Sequence, residues 1–412
     1  MPGRLDDLDL MDPAVQEDWY PAYDALRDQA PVWRSPSGEY LLTRYREVQH
    51  VLRHPDLFPN AEPGQNRMLR SDEASAVYER DGWPRRSWLA SNPPAHRSYR
   101  NLVDRWFDVA GAERAQRLIT DTANELVDEW IDEGQIDFVR RFALPLPLRV
   151  ISALLGFPAQ DIPQLDVWSA AWVMPFARGL TPEDERYVAE QGVAFQRYIH
   201  GHVEERRREP GDDMVSHLAL AQFEGPDGDR PLTDGEIVNI VDHLFVGGNE
   251  TTAFALASGL WLLLSRPTIH RRLIEAPALV PVFVEESLRL ESPTQGLWRM
   301  VAEETELAGV AIPAGSVLHL RFAAANRDAE VFPDPGELDL ERINARRHLA
   351  FSAGEHRCPG ADLSRLEQRI AFEVLLSRLA DLRLTPGAND FSHQPGFVLR
   401  ALRSLHISFR RA

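Results

Sequence analysis

The clearest candidate for chemistry in this sequence is its only cysteine, Cys358, in the segment Phe351-Ser-Ala-Gly-Glu-His-Arg-Cys-Pro-Gly360. A helical pattern follows over residues 361–379 and places the thiol at a helix N-terminus. The helix dipole and the free backbone N–H groups at such a terminus favour the thiolate, which is a strong metal ligand or nucleophile. A lone cysteine is also commonly buried and inert, so both interpretations stay open on this segment alone. A nucleophile would need a base, and His356 is poorly placed for that role two residues away in a turn.

A second candidate is Leu244-Phe-Val-Gly-Gly-Asn-Glu-Thr-Thr252, which lies inside a long helical pattern. Each interior glycine costs a helix roughly 1 kcal/mol relative to alanine, so another interaction must offset the pair. One explanation is a close helix crossing. The other is a backbone that approaches a flat ligand, with Glu250 and Thr251 offering an acid and a hydroxyl beside it. His243, Gly247 and Thr251 are spaced by four and share one face of the helix.

Two pairs of charged residues have helical spacing. Glu286 and Arg289 are three apart, which allows an ion pair. His96 and Arg100 project from one face of a helix that proline starts, and together they can hold an anion. In isolation, each pair is better explained as an ordinary solvated surface pair.

The elements that must position these residues are mostly helices. Thr233 and Glu236 have the spacing of a capping box and predict a helix over about residues 233–265, roughly 50 Å long at 1.5 Å per residue. The strand patterns are short: a hairpin within residues 32–45, and strands over residues 317–322 and 399–409. Residues 54–92 are rich in Pro, Gly and Asn, which is typical of a long irregular loop. Since no linker separates two cores, we predict one mainly α domain with a small β-sheet region (α+β) over residues 1–412.

Composition excludes several classes of function. The 412 residues include 45 basic and 63 acidic ones, a net charge of -18, which argues against a general nucleic-acid binder. Every basic residue is arginine, so lysine Schiff-base chemistry is excluded, and one cysteine cannot form an internal disulfide or a four-cysteine cluster. The acidic first residues do not resemble a signal peptide, and no apolar run reaches the ~18 residues of a membrane span. We therefore expect a cytoplasmic protein that does not bind membranes.

Taken in order, these four motifs resemble those of the cytochrome P450 family, specifically its soluble bacterial heme-thiolate monooxygenases. The segments Asn326-Arg-Asp-Ala-Glu-Val-Phe-Pro-Asp-Pro335 and His348-Leu-Ala-Phe351 resemble the stretch that leads to the family's heme loop. The resemblance covers nearly the whole chain. It implies the cytochrome P450 fold, with the helix over residues 233–265 on the distal side of a heme b.

The resemblance also implies roles for individual residues. Cys358 resembles the thiolate ligand of the heme iron, and Phe351 the aromatic residue that shields its sulfur. Glu250 and Thr251 resemble the acid and alcohol pair that handles protons beside bound dioxygen. Gly247 and Gly360 are the glycines that resemble sites of close backbone approach to the heme. The residues that resemble donors to the heme propionates are His96, Arg100, Arg299 and His356. Those that resemble a buried structural ion-pair network are Glu286, Arg289 and, as a third member, Arg342.

The residue after the cysteine departs from the family pattern. It is Pro359, where an apolar non-proline residue is common, and a proline has no N–H to donate toward the sulfur. We hypothesise that fewer such bonds leave the thiolate richer in electrons and the iron harder to reduce.

The resemblance implies electrons from a separate ferredoxin or flavodoxin and its reductase, and therefore NAD(P)H as an indirect cofactor. Residues 342–369 contain six arginines against three acidic residues, which fits an acidic partner as well as heme and structural pairs. Arg97 and Arg365 are the candidates for exposed docking residues. No reductase domain is fused, and we expect a monomer.

The substrate is predicted to be a bulky apolar or aromatic small molecule. His243 or Gln295 could hold a polar group on it. The positions that resemble pocket walls are Trp83, Trp88, Trp172, Met174, His243, Val246, Leu297, Trp298 and Phe397.

Three functions stay open. The first is a monooxygenase that hydroxylates or epoxidises its substrate. The second is a peroxide-driven peroxygenase, which would be expected to lack the Glu250 and Thr251 pair. The third is a non-enzymatic heme-thiolate sensor, which would need no proton relay and usually carries a signalling domain.

Overall fold

Helices account for most of the fold, as predicted. The computed structural model describes residue 5 and residues 8–10, 12–61, 71–177, 180–225 and 228–412. Within this described part the α-helices, in chain order, are α1 (Pro13–Glu17), α2 (Tyr20–Gln29), α3 (Tyr45–Arg53), α4 (Asp72–Asp81), α5 (Ala95–Phe107), α6 (Val109–Asp128), α7 (Pro145–Leu155), α8 (Ile162–Val173), α9 (Pro182–Arg208), α10 (Met214–Leu220), α11 (Asp234–Leu264), α12 (Pro267–Glu275), α13 (Val280–Leu290), α14 (Phe322–Ala325) and α15 (Ala361–Arg378). The strands are β1 (Val32–Arg34), β2 (Tyr40–Leu42), β3 (Gln135–Asp137), β4 (Gln222–Gly225), β5 (Gly228–Pro231), β6 (Gly296–Met300), β7 (Thr305–Leu307), β8 (Val310–Ile312), β9 (Val317–Arg321), β10 (Leu379–Leu384) and β11 (His406–Arg411).

Helix α11 is the central element. Thr233 caps it, and both hydrogen bonds of the predicted capping box with Glu236 are present. Apolar residues occur on all its faces and most of its side chains are buried, as expected of a helix that crosses a core. It contacts α7, α8, α9, α13 and α15. The predicted helix over residues 233–265 is therefore confirmed, and it packs against several other helices of the core.

The β-structure is small, as predicted. One mixed sheet has the order β1-β2-β9-β6, in which β2 and β9 are parallel and the other pairs antiparallel. The predicted hairpin within residues 32–45 is β1 and β2, although α3 already begins at Tyr45. A second sheet has the order β10-β11-β3, and β4-β5 and β7-β8 are two-stranded.

Two predictions of local structure were wrong in part. The C-terminal strand begins at His406 instead of residue 399, because Leu399 and Leu402 make only isolated bridges, to Thr294 and His393. The region over residues 54–92 is not a continuous loop, since it contains α4, which Ser71 caps, and a 3-10 turn at Trp88–Ala90. Residues 62–70 of that region lie outside the described residues.

A buried ion-pair network holds α13 to the segment before the cysteine loop. The Glu286 carboxylate accepts hydrogen bonds from Arg289 Nε at 2.6 Å and from Arg342 Nε at 3.0 Å. Arg289 is fully buried and also donates to the carbonyls of residues 326, 335 and 337. One carboxylate thus neutralises two buried guanidinium groups and fixes residues 326–342 against α13.

A single domain over residues 1–412 stays a prediction.

Because Glu286 is the acid of this network, we expect Glu286→Gln to lower the free energy of unfolding by about 3–5 kcal/mol, the cost of leaving buried cations unpaired. Urea unfolding followed by circular dichroism measures it. Glu341→Gln is the matched control, because Glu341 pairs with Arg272 at the surface and its loss should change stability by less than about 1 kcal/mol. Equal effects of the two substitutions would contradict the assignment.

Candidate active site

The loop over residues 351–360 folds back on itself and presents Cys358 at the start of α15. The Cys358 N–H donates to the Phe351 carbonyl at 2.9 Å, and Gly360 is the residue before the helix. Gly354 has φ +70°, and a Cβ there would lie 2.2 Å from the Leu52 carbonyl oxygen, so only glycine fits. A Cβ on Gly360 would lie 4.0 Å from the sulfur. The glycines therefore permit the tight turn that the sequence indicated.

The electrostatics of Cys358 differ from the prediction of a lowered pKa. Burial raises the pKa of the Cys358 thiol, whereas the Gly360 N–H and the charges of Arg100, Arg357 and Arg365 lower it. Desolvation of the thiolate outweighs the helix terminus because the sulfur faces the interior. A bound metal cation would therefore be needed to hold the sulfur in its ionised form. Pro359 supplies no N–H, so Gly360 is the backbone donor that lowers the pKa of the sulfur.

The four residues predicted to bind an anion come together beside this loop. The rings of His96 and His356 lie 4.1 Å apart, and His96 Nδ1 is 2.9 Å from Glu355 Oε1. Burial, with the charges of His96, Arg299 and Arg100, lowers the pKa of His356 to about 3. The Arg100 guanidinium donates to Asp104 and to the Arg357 carbonyl. Residues from α5, β6 and the cysteine loop thus form one cluster.

This cluster has polar atoms that its own residues do not satisfy. The buried atoms His96 Nε2 and His356 Nδ1 have no hydrogen-bond partner. Arg299 is only 5% exposed and donates to the Trp298 carbonyl at 2.8 Å, but it forms no salt bridge with the described acidic residues. Burial alone lowers its pKa to about 10. Buried cations and donors of this kind need an anionic partner, so the residues fit the carboxylates of a porphyrin.

The two glycines of α11 have different environments. A Cβ on Gly248 would lie 3.0 Å from Ile151 of α7, which is the close helix crossing. A Cβ on Gly247 would meet only His243 Cδ2, at 3.8 Å, and Gly247 is exposed although its helix is buried. Gly247 thus borders open space, and both explanations of the glycine pair apply, one to each residue. Thr251 lies one turn further and donates its hydroxyl to the Gly247 carbonyl at 3.0 Å.

The Glu250 side chain is directed toward α8. Its Oε1 accepts a hydrogen bond of 2.8 Å from Ser169, whose hydroxyl oxygen accepts one of 2.8 Å from the Asn249 amide. Burial, together with the negative charge of Asp166, raises the pKa of Glu250 to about 7. The structure therefore places a carboxyl that can carry a proton at neutral pH next to Thr251 in the chain. Ser169 was not predicted, because no local pattern indicates which residue of α8 crosses Glu250.

The predicted pocket walls do not form one group. Trp172 and His243 lie near each other, on α8 and α11, and both are close to Arg85. Phe397 stacks with Trp298 at 6.3 Å in another apolar cluster that includes Leu297. The remaining candidates are embedded elsewhere: Val246 in the main core, Trp88 against Tyr99, and Met174 beside α4 and α9.

Two of the pocket candidates are placed where they cannot act as predicted. Trp83 packs on His200 and beside Gly235 at the start of α11. Gly235 is twelve residues before Gly247, which separates the two glycines by about 18 Å along the helix axis. Gln295 is fully buried, donates to the Ser292 carbonyl at 2.7 Å and accepts from Tyr23. Its amide is therefore already engaged and cannot hold a polar group on a substrate.

The surface on the cysteine side carries a basic groove of about 450 Å³. Its arginines are Arg53, Arg346, Arg347, Arg357 and Arg365, and none of the described acidic residues lines it. The prediction that Arg365 is an exposed docking residue was wrong: its side chain is 16% exposed, because it pairs with Glu285 at 2.7 Å and lies over the Phe351 ring. Arg97 is exposed on α5.

A half-buried cysteine beside an anion-binding cluster is the arrangement expected of the class of heme-thiolate proteins. A family model described as Cytochrome P450 matches residues 160–403. Cytochrome P450 monooxygenase PikC of Streptomyces venezuelae is 34% identical over 98% of this chain and 94% of its own length. The 6-deoxyerythronolide B hydroxylase of Saccharopolyspora erythraea is 33% identical over 97% of this chain and 98% of its own.

A solved structure agrees with these relatives. The P450 heme domain of Tepidiphilus thermophilus superposes with a TM-score of 0.89 at 28% identity, over 98% of this chain and 96% of that one. The chain therefore belongs to the cytochrome P450 family and is a monooxygenase of that family. Its predicted fold class is confirmed. Over the described residues, no helix has the length and apolar character that crossing a membrane requires.

The raised pKa of Glu250 predicts a pH-dependent difference in stability. In the folded chain this carboxyl keeps its proton up to about pH 7, whereas the unfolded carboxyl loses it near 4.5. The unfolded state therefore binds fewer protons in this window, and native stability falls relative to Glu250→Gln as pH rises from about 5 to 8. The relative gain of the variant is on the order of 3 kcal/mol.

Urea unfolding of both proteins at pH 5 and pH 8 measures this difference. Glu190→Gln, on the exposed part of α9, is the control and should leave the pH dependence unchanged. If native protein and Glu250→Gln lose stability in parallel, the carboxyl ionises normally in the folded state.

Proposed function

We propose that this chain binds heme b through the Cys358 sulfur and uses dioxygen to hydroxylate or epoxidise a bulky, largely apolar small molecule. The observation that carries the proposal is the set of buried polar groups beside the one cysteine: His96 and His356 each have a ring nitrogen without a partner, and Arg299 has no acidic partner among the described residues. Membership of the family implies a heme. A heme held by a thiolate supplies the activation of dioxygen.

The residues of this chain fit such a group on both faces. Cys358 would hold the iron, and His96, Arg100, Arg299 and His356 would bind the two propionates. Gly247 offers a side of α11 without a side chain, so that a flat ring and a substrate can approach the backbone. Phe351, half-buried beside the loop, would limit the access of water to the sulfur.

The proton chemistry falls to α11. The Thr251 hydroxyl donates its hydrogen bond to the Gly247 carbonyl. Its oxygen can therefore accept a hydrogen bond from a group bound beside it. Glu250 holds a proton at neutral pH and is bonded to Ser169, on the side of α11 that faces α8. A turn of the carboxyl from Ser169 toward Thr251 would deliver that proton while the packed helix excludes bulk water.

The proposal is tested by the absorption spectrum of the purified protein after reduction, with and without carbon monoxide. The native chain should show the Soret band of a carbon monoxide complex with a thiolate ligand, and Cys358→Ser should lose it. A colourless protein that does not take up hemin, or a serine variant with an unchanged spectrum, would overturn the proposal.

The two other functions predict different behaviour. A peroxygenase would need no acid and alcohol pair, but Glu250 and Thr251 are both present, and Glu250 is held by a hydrogen bond. A sensor would bind ligands without turning them over. Product formed with hydrogen peroxide alone, at the rate reached with NAD(P)H and a reductase, would favour the peroxygenase.

Thr251 is expected to control the coupling of electrons to product. Thr251→Ala should keep heme and ligand binding but lower the product formed per NAD(P)H on the order of tenfold or more, with hydrogen peroxide released instead. The neighbouring Thr252 provides the control, because its hydroxyl bonds Ser364 at 3.0 Å in the core. Thr252→Ala should therefore leave coupling unchanged, and a native ratio in Thr251→Ala would refute the assignment.

We further propose that the basic groove receives an acidic ferredoxin or flavodoxin, reduced by a separate NAD(P)H-dependent reductase. The four exposed arginines of this groove supply charge that complements such a partner, although the whole chain is at -18. The monomeric state and the cytoplasmic location stay predictions.

The double variant Arg53→Glu with Arg347→Glu should lower the rate of electron transfer from a ferredoxin about tenfold at low salt, with a smaller difference at high salt. Stopped-flow reduction measures this, and dithionite gives the rate without a partner. Arg186→Glu on α9, outside the groove, is the control. Equal rates with native protein would place the partner on another surface.

A further inference from the structure

The irregular segment between α4 and the turn at Trp88–Ala90 is fixed against α11. The side chain of Asn239 makes both contacts. Its Oδ1 accepts a hydrogen bond of 2.9 Å from the Arg86 N–H, and its Nδ2 donates one of 3.3 Å to the Pro84 carbonyl. Asn239 stands one turn before His243. The backbone of Arg85 is therefore held at a defined place above the part of α11 that leads to Gly247.

The Arg85 guanidinium lies close to three side chains, those of Tyr78, Trp172 and Asp242. It lies over the Trp172 ring at 4.5 Å, and its nearest carboxylate, Asp242, is 3.9 Å away, beyond hydrogen-bond distance. Asp242 instead accepts the Trp172 indole N–H at 3.0 Å. The Arg85 side chain is 19% exposed. The guanidinium thus lies over Trp172 and beside Tyr78 and Asp242, and its partial exposure leaves part of it accessible to a ligand.

The charge of Arg85 acts on His243, whose ring borders the open space at Gly247. A Cβ on Gly247 would lie 3.8 Å from its ring, and His243 forms no hydrogen bond with the described residues. Burial, with the charge of Arg85, lowers its pKa to about 4, so the imidazole is neutral and offers one donor and one acceptor. Arg85 and His243 together form a polar end in an otherwise apolar region.

We propose that Arg85 and His243 bind a carboxylate on the substrate, at the end remote from the carbon that is oxidised. The inference rests on the proposed heme function and narrows its substrate class to apolar molecules with one acidic group. Guanidinium N–H groups match a carboxylate better than any neutral acceptor does. His243 lies eight residues before Thr251, which sets the acidic group about 12 Å from it along the helix axis.

Imidazole-capped chains can test this without knowledge of the substrate. The probes are imidazol-1-yl alkanoic acids of six, eight and ten carbons, their methyl esters and the matching amines, titrated into the heme-loaded chain and followed by the Soret shift. The imidazole binds iron, and the tail reaches toward Arg85. We expect the best acid to bind about tenfold or more tightly than its ester, as for a charge-assisted hydrogen bond.

Variants assign that preference to residues. Arg85→Gln should reduce it to less than about twofold, Arg85→Lys should restore part of it, and His243→Ala should weaken the acid more than the ester. Arg86→Gln is the control, because Arg86 is the exposed neighbour that lies over Trp88. The comparison of two probes within each variant corrects for any general loss of heme pocket integrity.

Equal affinity for acid and ester in the native chain, or a preference for the amine, would overturn the carboxylate assignment while leaving the heme function intact. A native preference that Arg85→Gln retains would also overturn it. Failure of every probe to shift the Soret band of the heme-loaded chain would overturn this inference, whereas a purified chain that takes up no heme would contradict the proposed heme function itself.

Discussion

A buried polar group must find a partner, and this constraint organises the region around Cys358. Burial works against ionisation of the sulfur, one ring nitrogen each of His96 and His356 lacks a partner, and Arg299 has no acidic partner among the described residues. Each of these costs is removed by one planar group that carries a metal cation and two carboxylates. On the proposed function a ligand completes this region, and Gly247 on α11 leaves room for it to approach.

Other charged groups of the same region are satisfied within the chain. Glu286 neutralises Arg289 and Arg342, and Glu285 binds His348 at 3.0 Å and Arg365 at 2.7 Å. These two adjacent acids of α13 hold both segments that flank the cysteine loop. The contrast with Arg299 is informative, because Arg289, Arg342 and Arg365 each have an internal acid whereas Arg299 has none among the described residues.

Different faces of helix α11 have different roles. Gly248 and Thr252 serve packing, toward Ile151 and Ser364, while Gly247 and Thr251 face the space beside the proposed heme. Glu250 lies toward α8, where Ser169 holds it. Adjacent residues of a helix are 100° apart, so a six-residue segment can provide a helix crossing, an open face and a proton carrier at once. The same geometry brings His243 into line with Gly247 and Thr251 and gives the pocket its polar end.

The sequence by itself determined the features that depend on local signals. The capping box set the start of α11, the glycine pattern marked the cysteine loop, and the spacing of charged pairs indicated which side chains share a face. These signals operate over a few residues, so they can be read without knowledge of the fold. The order of the motifs along the chain then indicated the family.

Only the tertiary structure decided which distant residues meet. The hydrogen bond of Ser169 to Glu250 joins residues 81 apart, and the pairing of Arg365 with Glu285 joins residues 80 apart. The segment between α4 and the turn at Trp88–Ala90 is held by hydrogen bonds from Asn239 on α11 and Gln196 on α9. These bonds place Trp83 outside the predicted pocket and Arg85 near it. The pKa of Cys358 rose for the same reason, since burial is a property of the assembled core. Contacts between residues that are distant in the sequence have no local sequence pattern. These contacts bring the reactive residues together into one site.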